Sequence, residues 1–138
     1  FIQTIFGPEF QTLGRMYLIT KSQFIDVVKQ ETNSTEISID FERAISTGSL
    51  IFKINSWYGN IIYLGEQNNH SIFTFTNEKN IQETNQPSLN YLKTVIRGIQ
   101  ETYNFNEIEI ADYLISKRGI TGNFSIEALT KIIQAAVS

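Results

Sequence analysis

The sequence predicts an α+β fold with a β-rich first half and a helical second half. Three observations predict it. Phe73 and Phe75 alternate with Thr74 and Thr76, the period-two pattern of a strand. Leu92, Val95, Ile96, Ile99 and Tyr103 recur at the three-and-four spacing of one helix face. Cap residues stand where helices should open: Thr20 with Gln23, and Asn106 with Glu109, each three residues apart.

Taken in order, residues 15–19 read as a strand after Gly14. Thr20 then opens a helix over about residues 21–31, with Phe24, Val27 and Val28 on one face. Glu31 is three residues after Val28 and four after Val27, so it lies on the same stripe at the helix end. Residues 40–46 form a short helix closed by Gly48, in an otherwise ambiguous stretch. Residues 50–54 form a strand. Residues 57–64 and 71–76 form a hairpin, with residues 65–70 as its loop. A polar loop over residues 78–86 ends at Pro87, and Ser88 caps a long helix to about Tyr103. Gly98 inside that helix costs about 1 kcal/mol relative to alanine, which predicts a close backbone contact. Another helix runs from Asn106 to about Lys117, with Gly119 beyond its end. The last covers about residues 125–137, with Ile126, Leu129, Ile132, Ile133 and Ala136 on one stripe.

The length of 138 residues fits one domain, residues 1–138, and 41% apolar residues suffice for one core. A net charge of −3 does not draw a phosphate backbone, so no nucleic-acid partner is expected. The mixed charges of the last two helices argue against a DNA-reading helix-turn-helix; a homodimer contact through that helical hairpin is the better reading. There is no cysteine and a single histidine, His70, so no metal site is expected and thiol catalysis is excluded. His70 sits in a polar turn, without the fixed partner a serine-activating base needs. No apolar run approaches the roughly 20 residues that span a bilayer, and no signal peptide is visible; no membrane partner and a cytoplasmic location are expected. The chain starts at Phe1 in apolar, strand-like sequence, which predicts a domain lacking its N-terminal part.

Two segments carry a family resemblance. The first is Gly14-Arg15-Met16-Tyr17-Leu18-Ile19-Thr20, followed by Phe24, Val27, Val28 and Glu31. The second is Pro87-Ser88-Leu89-Asn90-Tyr91-Leu92, followed by Gly98 and Glu101. Between them lie Trp57-Tyr58-Gly59-Asn60 and Thr74-Phe75-Thr76. In order and spacing the chain resembles the γ-glutamylcyclotransferase-like family over about residues 14–114. The resemblance implies a β-barrel with flanking helices. It implies an enzyme in which the α-amine of a small γ-glutamyl amine or amide attacks its own γ-carbonyl, releasing 5-oxoproline. No cofactor is implied. The glutamate at the position of Glu31 is the family's proton-transfer residue. The family's Tyr-Gly-Ser-Asn substrate loop is absent, and Tyr58-Gly59-Asn60 does not replace it because it lies in the hairpin.

One carboxyl can take a proton from the amine and return it to the leaving group if its environment is apolar enough. The stripe of Phe24, Val27 and Val28 would supply that environment to Glu31; the competing reading is a frayed helix end with its carboxylate in water. Tyr91 is a candidate for substrate binding or for a core aromatic. Tyr17 and Tyr58 are further substrate-binding candidates, set against packing and hairpin pairing. Trp57 reads as packing, and Ser88 as a cap rather than a nucleophile. The rival function is a non-catalytic binding or assembly module that keeps the fold, and a related amide-cleaving reaction at Glu31 is a third reading.

Overall fold

A computed structural model of the chain describes residues 11–79 and 84–138. The expected apolar lead-in over residues 1–10 and the middle of the polar loop, residues 80–83, lie outside them. The described residues divide into two compact units: those of Tyr17–Ile81, and those of Phe1–Met16 together with Gln82–Ser138.

The first unit packs two helices on a small sheet. Helix α1 spans Lys21–Thr32 behind the expected capping box, in which the Gln23 N–H donates to Thr20 Oγ1 (3.2 Å) and the Thr20 N–H donates to Gln23 Oε1 (2.8 Å). Its C-cap, Asn33, is left-handed. Helix α2 spans Phe41–Thr47, capped by Asp40 and ended by Gly48 at φ 80°. Strands β1 (Ser49–Ile51), β2 (Asn60–Gln67) and β3 (His70–Thr76) form one antiparallel sheet in the order β1-β2-β3.

The hairpin is tighter than the sequence suggested. Its turn is Asn68-Asn69, both at positive φ (52° and 61°), the backbone a two-residue turn needs to match the strand twist. Residues 65–67 and 70, expected in the loop, pair instead. A register shift between Tyr63 and Gly65 lets Leu64 bulge out. Ile61 opposite Phe75 and Tyr63 opposite Phe73 place four side chains on one face. Phe73 lies against Phe24, Phe41 and Tyr63 with ring centroids 6.2, 5.2 and 5.6 Å away. With Val28, Ile39, Ala44 and Ile61, the rings of Phe24, Phe41 and Phe73 make the unit's core.

The expected barrel is not formed: among the described residues the sheet is open, with three strands and β1 and β3 at its edges. Closing a sheet takes more strands, each tilted and staggered, and even small barrels use about eight. The expected strand over residues 15–19 is no strand; Met16, Tyr17, Leu18 and Ile19 are exposed and belong to no helix or strand. The first half is therefore not mainly β. Two helices and eighteen strand residues share it with loops, and the predicted strand over 50–54 stops at Ile51.

The second unit is a three-helix arrangement of α3 (Leu89–Tyr103), α4 (Glu107–Ile115) and α5 (Ile126–Val137). Ser88 and Asn106 cap the first two as expected, and Ser125, expected inside the last helix, caps it. Leu92, Ile96, Ile99, Ile110, Leu114, Leu129 and Ile133 form the core, and Ile120 closes it from the turn before α5. Helix α4 ends two residues earlier than expected, at Ile115. Lys117 and Gly119 then belong to turns in which the Ile120 and Thr121 N–H groups donate to Lys117 O (both 3.0 Å). Glu127 in the first turn of α5 is held below the usual carboxylate range by its own backbone N–H and the Ser125 hydroxyl. Tyr103 donates to the Gly14 carbonyl, and the Leu13 N–H donates to Tyr113 Oη (3.1 Å), so residues 13 and 14 are tied to the helices.

Gly98 corrects another expectation. A Cβ built there would meet nothing within 4 Å among the described residues, so none of them makes the expected close backbone contact. Gly98→Ala is expected to raise stability by about 1 kcal/mol through helix propensity alone. Urea denaturation followed by far-UV circular dichroism checks this; a loss of stability would show that the space is filled.

Candidate functional site

The buried face of α1 runs through Phe24, Ile25, Val28 and Thr32, of which Val28 is fully buried. Val27, on the edge of that face, is 40% exposed, and Glu31 is exposed beside it. The apolar stripe expected to surround the carboxylate therefore turns into the core without taking Glu31 with it. Among the described residues, no hydrogen bond or ion pair engages the Glu31 side chain.

The polar chemistry at this helix end serves the fold. The Asn33 N–H donates to Gln30 O (3.2 Å) and the Ser34 N–H to Lys29 O (3.0 Å). Thr32 Oγ1 donates to Val28 O (2.7 Å). Lys53, half-buried, donates from Nζ to Thr32 O (3.0 Å) and to Ser34 Oγ (2.5 Å). An ammonium at the negative end of the helix dipole is the favourable sign. Nothing local in the sequence marks this role, since Lys53 is 21 residues from Thr32.

The tyrosines stand as follows. Tyr17 is 68% exposed in the segment before α1. Tyr58 is 39% exposed and meets Phe75 edge-on at 5.7 Å, which is hairpin packing. Tyr91 belongs to the helical unit, on the exposed side of the first turn of α3, and its N–H donates to the Ser88 cap (3.3 Å). Ser88 thus caps a helix. Within the sheet unit no described hydrogen bond joins Glu31 to Tyr17 or Tyr58.

The sheet unit does carry a cleft, elsewhere. It has a volume of about 180 Å³ and is lined by Asn55, Ser56, Trp57, Asn77, Glu78 and Lys79. Trp57, expected as packing, is instead 68% exposed. Among the described residues no group of three or more His, Asp or Glu side chains could hold a metal ion. No described helix is long and apolar enough to cross a membrane.

No protein-family model matches the chain. No solved structure is similar to it. Among characterised proteins it is similar to histone deacetylase 5 of Arabidopsis thaliana, at 31% identity over 121 residues covering 75% of this chain. The chain spans 18% of that protein's length.

Proposed function

We propose that this chain is a γ-glutamylcyclotransferase-like segment that works as a non-catalytic binding or assembly module. One observation carries the reading: Glu31, the residue the chemistry would need, stands in water with no partner among the described residues. A carboxylate exposed to water has no wall to hold a γ-glutamyl group against it.

The exposed run Met16-Tyr17-Leu18-Ile19 supports the binding side of the proposal. Four adjacent exposed apolar residues suit contact with another polypeptide. The chain also shares a stretch with histone deacetylase 5. The shared stretch is under a fifth of a protein named for a different reaction.

Incubation with γ-glutamyl amines and amides, followed by mass spectrometry for 5-oxoproline, tests this. The expected result is release no faster from wild type than from Glu31→Gln. Release that disappears in Glu31→Gln makes the chain a cyclotransferase, and release of a different acyl product at Glu31 makes it a related amide-cleaving enzyme.

A further inference from the structure

The turn that carries Trp57 is fixed in place. The Phe52 and Lys53 N–H groups both donate to Gly59 O (2.9 and 3.2 Å). A Cβ on Gly59 would lie 1.8 Å from Lys53 O, so only glycine permits this closure. Asn55 takes a left-handed φ of 59°, and its N–H donates to Glu78 Oε1 (3.1 Å), tying the turn to the chain after β3. Tyr58 turns inward onto Phe75. Trp57, the one tryptophan of the chain, is left exposed on this rigid support and forms a wall of the cleft.

The other walls supply hydrogen-bonding groups of both kinds. Asn77 Oδ1 accepts the Lys79 N–H (2.9 Å), leaving its amide NH₂ to donate. Ser56 Oγ accepts the Tyr58 N–H (3.3 Å), leaving its hydroxyl proton. Glu78 keeps its second oxygen as an acceptor, and Lys79 and Asn55 add further donors. One carboxylate and one ammonium leave the lining without net charge. A cation would meet Lys79, and a phosphate would meet Glu78. An uncharged ring with a C–H face for the indole and hydroxyls that both donate and accept fits this lining. At about 180 Å³ the cleft is smaller than a drug-sized pocket and suits a single ring.

We propose that the Trp57 cleft binds a neutral saccharide ring, stacked on the indole and hydrogen-bonded by Ser56, Asn77 and Glu78. The site does not use Glu31 and stands apart from the module reading. Because Trp57 is the only tryptophan, its fluorescence reports this cleft directly. Titration of the full chain with glucose, galactose and N-acetylglucosamine is expected to give a saturable emission change for at least one of them. The expected Kd is on the order of 1 mM, as few groups bury little of the ligand. Asn77→Ala is expected to weaken it about tenfold, the worth of one good hydrogen bond. Trp57→Ala, read by saturation-transfer NMR, is expected to abolish it, with far-UV circular dichroism showing the fold retained. No saturable change with any of the three sugars would overturn the proposal. So would undiminished sugar binding in folded Trp57→Ala, or saturation by tetramethylammonium or inorganic phosphate in place of sugar.

Discussion

Phe73→Ala is expected to destabilise the sheet unit by about 3 kcal/mol. Truncating a core phenylalanine costs roughly 3–5 kcal/mol, and Phe73 is partly exposed, which places it at the lower end. Its ring lies against Phe24 of α1, Phe41 of α2 and Tyr63 of β2, so one truncation loosens all three contacts. A three-stranded sheet with two open edges has little else to hold both helices. Urea unfolding read by Trp57 fluorescence measures it. With a slope of roughly 1–3 kcal/mol per molar urea, the midpoint falls by at least about 1 M. Thr74→Ala, the exposed neighbour on the other face, is expected to stay within about 0.5 kcal/mol. Equal losses at the two positions would mean that the aromatic cluster is not this unit's core.

Leu129→Ala is expected to cost the helical unit roughly 3–4 kcal/mol. Leu129 is fully buried among residues from α3, α4 and α5, and a leucine truncated in such a place leaves a cavity that its neighbours fill only in part. Far-UV circular dichroism at 222 nm, dominated by helix, follows the loss during urea unfolding. Ile126→Ala, on the same helix but 45% exposed, is expected to cost far less. Matching losses would show that the stripe of α5 faces elsewhere.

Much of the fold was legible because it rests on local chemistry. The caps Thr20, Ser88 and Asn106 all mark real helix starts, since a side-chain oxygen meeting orphan N–H groups is decided within three residues. Phe73 and Phe75 share the inner face as their alternation requires. The failures came where distant partners decide. Residues 15–19 have strand composition, but a strand exists only when another strand pairs with it. The barrel followed from the family resemblance, and three strands do not close one. Gly98 was read as a packing device, yet the space around it is open.

The candidate residues were harder to place for the same reason. Helical spacing set Glu31 close to Val28, but a helix face is wider than its buried stripe, and Glu31 fell on the solvent side. Lys53 as the partner of the α1 terminus could not be seen, because it arrives through a turn 21 residues away. The Trp57 cleft combines residues 55–57 with residues 77–79, which only the hairpin register brings together. Gly59 beside an aromatic pair was its one local signal.

The measurement that bears most directly on the central claim is 5-oxoproline production by the purified chain, wild type and Glu31→Gln side by side, across a panel of γ-glutamyl amines and amides. A non-catalytic module predicts that both proteins give only the substrate's spontaneous rate. A wild-type rate well above that background, lost in the folded Glu31→Gln protein, would contradict it and make Glu31 the catalytic residue of an enzyme.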